Sequence, residues 1–305
     1  MKDPDAICLG TVKLGIPDYG FSSDDGSIVF NPEEFLKQAQ TLGIRRFDTS
    51  PRYGNSEEII GKYILNSKNE PLVSTKIDAL QSNDPGAPKK MIESIKTSLE
   101  RLHLKVIDIC YLHQNNLEII SDPYVREGLL LLKKQGFIRY SGASLYTQEE
   151  CSYALESGVF DVVQVPVSIF NLSFYNRFIK SNRSHVRFTA RSLLLQGILV
   201  NRAEIKSRIQ NNAEVLQYLT RLDALAKRYG LSVLEMALAF VFSLEGIDHY
   251  LIGTISLENL KENLSCLKIK LPQELLVQLI GMASEVKDWV DPRSWKHQGM
   301  NRSYN

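Results

Sequence analysis

The 305-residue chain is predicted to fold as one α/β domain, a parallel (β/α)8 barrel of the TIM-barrel class spanning residues 1–305. Three observations predict it. Eight short β-type runs alternate with longer stretches of helical pattern, the signature of repeated βα units around a parallel sheet. No linker, low-complexity tract or break in composition divides the chain. A hydrophobic content of 44% is enough, at this length, to fill one large core.

The predicted strands cover residues 6–10, 44–48, 72–76, 106–113, 138–143, 162–165, 186–191 and 249–252. Between them the helical pattern runs over 32–42, 56–65, 89–103, 124–135, 147–156 and 213–228. Gly43, Gly136, Gly158 and Gly230 follow four of these stretches, where a glycine just past a helix end is expected. Two segments exceed what the barrel needs, 170–185 and the tail 285–305. Long connections are either functional or disordered. The tail carries Trp289, Trp295 and His297, which leaves two readings: a segment packing in part near the barrel mouth, or a frayed end.

Composition narrows the function classes. A formal charge of +1 gives no reason to expect nucleic acid or an acidic membrane as partner. Cys8, Cys110, Cys151 and Cys266 are widely spaced and form no C-x-x-C, so neither a zinc site nor a disulfide scaffold is expected. No apolar signal segment follows Met1, and no run approaches a membrane span of about 18 apolar residues. A cytoplasmic protein acting on a small molecule is the expectation.

Four residues stand at or just beyond the ends of predicted strands: Asp48, Tyr53, Lys76 and His113. In a parallel barrel such positions converge on one mouth, where chemistry is done. Taken singly each has a bland reading: a turn cap, a packed aromatic, a loop charge and a core histidine. Together they make a metal-free acid–base set. A tyrosine hydroxyl has an ordinary pKa near 10, and a nearby ammonium is expected to lower it. Asp48 is the counter-ion that would keep Lys76 charged when buried, and His113 can orient and polarise a carbonyl oxygen. A proton delivered to oxygen needs hydride delivered to the attached carbon, which side chains cannot supply, so a nicotinamide is implied.

The run Phe47-Asp48-Thr49-Ser50-Pro51-Arg52-Tyr53-Gly54-Asn55-Ser56-Glu57 closely resembles the D-T-(A/S)-x-x-Y-G-x-S-E signature of the aldo-keto reductases. Ser74-Thr75-Lys76 resembles that family's strand-end lysine, and Tyr111-Leu112-His113 its strand-end histidine. The resemblance implies reduction of an aldehyde or ketone to an alcohol by hydride transfer, with Tyr53 as general acid. It also implies NADP(H), or less often NAD(H), bound without a Rossmann G-x-G-x-x-G, a pattern this chain lacks.

On the same grounds Gly10 and Thr11 are expected to line the cofactor trough, and Ser144 and Gln164 to hold the nicotinamide carboxamide. Leu145 stands where the family often has asparagine. Arg191-Ser192 occupies the place of a Tyr-Ser pair, so a guanidinium replaces the ring that stacks on nicotinamide, and Gln196 belongs to a loop running past the pyrophosphate. Gly253, Thr254, Asn259, Glu262 and Asn263 resemble the adenosine-binding turn and helix. Gly253 and Asn259 depart from the NADP-preferring pattern, which has a lysine and an arginine there; Lys261 or Thr254 can compensate.

The substrate is less legible. The stretches 9–15 and 190–197 resemble a bacterial branch of the family found beside sugar and polysaccharide genes, which implies a polyol or keto-sugar. Lys13, Tyr19 and Arg52 are placed in mouth loops where they can meet hydroxyls or a phosphate, or simply be solvated. Tyr146 and Phe170 can form an apolar wall or belong to the core. Two rival readings share the fold: a nucleotide-sensing regulatory subunit with little turnover, and a Schiff-base barrel using Lys76. Asp48 opposes the latter by holding the lysine proton on.

Overall fold

The computed structural model describes residues 3–20, 31–113, 116–203, 205–210, 212–285 and 287–295. Eight parallel strands close on themselves in sequence order: β1 (Ile7–Gly10), β2 (Arg46–Asp48), β3 (Leu72–Ile77), β4 (Ile107–Leu112), β5 (Ile138–Ser144), β6 (Val162–Pro166), β7 (Arg187–Arg191) and β8 (His249–Gly253). Each expected strand is present, with ends moved by a residue or two. The largest shift is at β2, where Ile44 closes the preceding helix through its N–H to the Ala39 carbonyl and does not enter the sheet.

The helices are α1 (Val12–Gly15), α2 (Pro32–Thr41), α3 (Ser56–Asn66), α4 (Ala87–Leu102), α5 (Leu117–Ile120), α6 (Pro123–Lys134), α7 (Gln148–Glu156), α8 (Ile205–Arg208), α9 (Asn212–Arg228), α10 (Val233–Ser243), α11 (Leu257–Ser265) and α12 (Gln273–Ser284). Local chemistry sets many of their ends. Asn31, Asp122 and Ser256 accept backbone N–H bonds at helix starts, and Thr147/Glu150 and Ser232/Glu235 form reciprocal capping boxes. Gly43, Gly136, Gly158 and Gly230 all have positive φ, as a left-handed helix stop requires. The 170–185 segment is not bare loop, since Tyr175–Ile179 forms a π-helical turn within it.

The main core lies between strands and helices, and a separate small cluster of Ile109, Tyr111 and Val162 fills the inside of the barrel. Alternation along the strands sends Asp48, Lys76, Tyr111, Gln164 and Thr189 inward. The contacts between them agree: Lys76 and Gln164 both reach Asp48, and the Tyr111 hydroxyl lies 3.4 Å from Thr189 Oγ1. Gly142 is opposite Tyr111, and a Cβ there would come within 2.5 Å of the Tyr111 ring, so the tyrosine can lie across the barrel only over a bare backbone. All four cysteines are buried and unpaired. Among the described residues no helix is long and apolar enough to cross a membrane, and no cluster of side chains could hold a metal ion.

Phe170 proves to be core, packed edge-on against Tyr218 and Trp289. Trp289 and Trp295 are buried, and the Trp295 indole N–H donates to the Trp289 carbonyl at 2.8 Å. Residues 296–305 of the tail, His297 among them, lie outside the described residues.

Candidate active site

The turn carrying Tyr53 is built by close backbone packing. A Cβ on Gly15 would sit 1.8 Å from the Tyr53 carbonyl oxygen, and one on Gly54 would sit 2.4 Å from the Gly15 carbonyl oxygen. Gly54 also holds φ +52°. Hydroxyls then tie the turn to β1 and β2: Thr49 Oγ1 donates to Ser56 Oγ at 3.0 Å, Ser56 Oγ donates to Thr11 Oγ1 at 2.9 Å, and Thr11 Oγ1 donates to the Asp48 carbonyl at 2.8 Å. Glu57 closes the motif from beneath, accepting from Thr75 Oγ1 at 2.6 Å and pairing with Arg101 at 3.4 Å. The Tyr-Gly-x-Ser-Glu spacing is thus a packing and hydrogen-bonding device that fixes where the phenol points.

Asp48, Tyr53, Lys76 and His113 meet at the mouth. Lys76 Nζ donates to Asp48 Oδ1 at 2.5 Å and to the Thr49 carbonyl at 2.8 Å, and lies 4.8 Å from the centre of the Tyr53 ring. Lys76 and Asp48 are 2% and 1% exposed, so both charges are out of water and depend on each other. Burial works to lower the Lys76 pKa, but the Asp48 carboxylate and the Tyr53 hydroxyl outweigh it, and the ammonium is held on. The other Asp48 oxygen accepts from Gln164 Nε2 at 2.7 Å. The His113 ring stands edge-on to Tyr53, with centroids 6.0 Å apart.

One expectation is corrected. The lysine was expected to bring the Tyr53 pKa below its ordinary value; instead it is raised. Burial is the largest cause, and the opposing pull of Lys76 does not overcome it. The group is therefore a fully protonated phenol at neutral pH, with an ammonium in place to stabilise the phenolate when the proton leaves. Burial also lowers the His113 pKa, with Asp78 acting against it.

The expected cofactor positions surround this set on neighbouring strands. Gly10 and Gly253 are partners in the β1–β8 register. A Cβ built on Gly253 would meet nothing closer than the Gly10 carbonyl at 3.9 Å, and one on Gly10 nothing closer than Leu251 Cδ1 at 3.5 Å, so these strand ends are left open by their glycines. Thr11 follows β1 and is buried, and Ser144 and Gln164 are buried as partners in the β5–β6 register. After β7, Ser192, Leu195 and Gln196 hold φ of 59°, 49° and 53°, a concentration of left-handed non-glycine backbone at the mouth. Gln196 Nε2 donates to the Tyr19 hydroxyl at 3.2 Å, joining the loops after β7 and β1 above the end of β8. Thr254 bonds back to the Ser256 backbone, Ser256 caps α11 by accepting from Asn259 N at 3.2 Å, and Asn259, Glu262 and Asn263 share one face of that helix. A dinucleotide fits this arrangement: the open glycine strand ends leave room for it, and α11 offers unpaired N–H groups for phosphate.

Several side chains have partners that sequence did not reveal. Arg52 pairs with Asp78. The Arg191 guanidinium covers one face of Tyr146 at 3.9 Å and donates to the Leu145 carbonyl at 2.9 Å, while Arg293 covers the ring at 4.1 Å. Arg293 in turn forks onto Asp291, at 2.6 Å for the closest pair. Tyr146 is therefore held between two cations, and part of the tail lies on the β5 side of the mouth. Arg191 Nε is buried and has no hydrogen-bond partner among the described residues, in a side chain of a residue only 8% exposed. Lys13 is half-buried on α1. Asp78 and Tyr111 were not anticipated, though both lie two residues from a recognised site residue and so on the same face of their strands.

The chain is 26% identical over 268 residues to the NADH-specific methylglyoxal reductase of Escherichia coli strain K12, covering 77% of this chain and 82% of that protein. It is 26% identical over 310 residues to the L-galactose dehydrogenase of Arabidopsis thaliana, covering 93% and 96%. The structure of an aldo-keto reductase from Bacillus halodurans in its holo form superposes with a TM-score of 0.72 at 19% identity, over 94% of this chain and 95% of that one, a likeness of fold. The profile of the aldo/keto reductase family matches residues 6–280, and this chain belongs to that family.

Proposed function

We propose that this protein is an NAD(P)H-dependent reductase of small aldehydes or ketones, with keto-sugars as the favoured class. The observation that carries the proposal is the buried Asp48–Lys76 pair set against the Tyr53 phenol, with the His113 ring edge-on to that phenol. Aldo-keto reductases use nicotinamide cofactors, and the bound dinucleotide supplies the hydride. Gly10, Thr11, Ser144, Gln164, Arg191, Ser192 and Gln196 would bind its nicotinamide and pyrophosphate half. Thr254, Asn259, Glu262 and Asn263 would bind the adenosine half, beside Gly253.

Tyr53 acts as the general acid. It is protonated at rest because it is buried, and gives its proton to the carbonyl oxygen as charge develops there. The Lys76 ammonium stabilises the phenolate left behind, and Asp48 keeps that ammonium charged. His113 bonds the same substrate oxygen, donating to it when the ring is doubly protonated. Lys13, Tyr19, Arg52 and Tyr146 line the approach, with Arg52 acting from its pair with Asp78.

NADP(H) is the favoured coenzyme and NAD(H) the alternative. A 2′-phosphate needs a cation, and Lys261 is the one cation on α11, whereas Gly253 and Asn259 offer none. The name of the methylglyoxal reductase relative speaks for NADH. Titration of tryptophan fluorescence with NADPH and with NADH, followed by a screen of aldehydes and keto-sugars, tests the proposal. Quenching by one dinucleotide and turnover of a carbonyl are expected; absence of binding by both would overturn it.

A further inference from the structure

Asp78 lies one residue beyond β3, and the register places it opposite His113. Lys76 pairs with Tyr111 and Ile77 with Leu112, so the next step along both strands brings Asp78 alongside His113 on the inward face. The His113 N–H bonds the Ile77 carbonyl at 2.8 Å, which continues the ladder to that point. Asp78 Oδ2 is 3.7 Å from His113 Nδ1. Nδ1 is buried and has no hydrogen bond among the described residues. Arg52, on the turn that carries Tyr53, pairs with the same carboxylate oxygen, which holds the carboxylate in place.

We propose that Asp78 is a positioning residue for His113, drawing the imidazole proton onto Nδ1 and leaving Nε2 as the atom offered to the substrate oxygen. The separation is a few tenths of an ångström beyond a hydrogen bond, and catalytic contacts of this kind tighten when substrate closes the site. The second ring nitrogen takes its role from the bond the first one makes. With the proton on Nδ1, neutral His113 accepts a hydrogen bond at Nε2, which suits an alcohol hydroxyl. Only the doubly protonated ring donates there, which suits a carbonyl.

The charged and titratable groups around the ring are Lys76 from β3, Asp78 just beyond it, Asp48 from β2 and Tyr53 from the turn after β2, with Arg52 of that turn paired to Asp78. Burial and Lys76 disfavour the imidazolium, while Asp78 and Asp48 favour it. Asp78 therefore sets both the sense of the hydrogen bond and the pH at which it reverses. The catalytic half of this inference rests on the reductase reading; the tautomer does not.

Long-range proton–nitrogen correlation spectra of the full chain, labelled at histidine, read the tautomer directly, with His113→Asn assigning the signal among the five histidines. The expected result is Nδ1–H in neutral His113 of the unmodified protein. Asp78→Asn should keep that tautomer and lower the pKa, because it retains an acceptor without the charge, and Asp78→Ala should lose both. In carbonyl reduction the limb on which kcat/KM falls with rising pH should move to lower pH in step. Activity at a fixed pH above it should drop about tenfold for each pH unit the limb moves. Nε2–H in the unmodified protein, or an unchanged His113 titration in both variants, would overturn the proposal. A correct tautomer with no turnover of any carbonyl would instead defeat the reductase reading alone.

Discussion

Removing both partners of the Asp48–Lys76 pair should cost clearly less than the sum of removing each alone. The two side chains are 1% and 2% exposed and 2.5 Å apart, so a lone survivor would be a charge buried without its counter-ion. Breaking such a pair costs about 3–5 kcal/mol, whereas replacing both partners is far less damaging. Two neutral contacts soften the loss here: Lys76 keeps the Thr49 carbonyl at 2.8 Å, and Asp48 keeps the Gln164 amide at 2.7 Å. We therefore expect about 3 kcal/mol for Asp48→Asn and for Lys76→Met. The double variant should fall short of the summed losses by about 2 kcal/mol or more, within the range found for residues in direct contact. Urea denaturation at neutral pH measures this from midpoints, provided the slope is unchanged. Single losses below about 1 kcal/mol, or strict additivity, would refute the view that the pair is an isolated, mutually dependent unit.

Two further outcomes follow from packing and from burial. Gly142→Ala should destabilise by about 1–3 kcal/mol, because its Cβ would lie 2.5 Å from the Tyr111 ring and 2.8 Å from the Val162 carbonyl; Gly281→Ala, where a Cβ meets nothing within 4 Å on α12, should stabilise slightly, and a loss at both sites would count against the account. His249, buried and beside Arg46 and Arg187, has its pKa pushed down from 6.5 to about 4. The unfolded chain thus takes up that proton first. Stability from this group is fully present above about pH 6.5 and is lost as pH falls toward 4, by about 3 kcal/mol in all. The stability difference between the unmodified protein and His249→Gln should shrink across that window, and a constant difference would show that burial does not hold this histidine neutral.

How far the sequence could be read depended on whether a feature was local. The strands were legible because each apolar run ends at a turn, and the four central residues because they stand at such ends. Helix α10 escaped because Met236 through Phe242 are all buried, so no polar face remains to give a 3.6-residue period. Asp78 was within reach: Lys76 is inward, and the pleat sends every second residue the same way. The cation–ring–cation stack at Tyr146 was not, because it needs the tail to return across the barrel and set Arg293 down on the opposite face from Arg191. The raised Tyr53 pKa was hidden for a related reason. The neighbouring ammonium is visible in the motif, but the burial that outweighs it belongs to the assembled mouth.

The central claim is that the Tyr53 hydroxyl supplies the proton in a nicotinamide-driven carbonyl reduction, and Tyr53→Phe tests it most directly. The substitution keeps the ring that stands edge-on to His113 and removes the hydroxyl beside Lys76. Dinucleotide binding followed by fluorescence should be nearly unchanged, while reductase turnover falls by about 10²–10⁴-fold. Equal turnover in the two proteins would contradict the account.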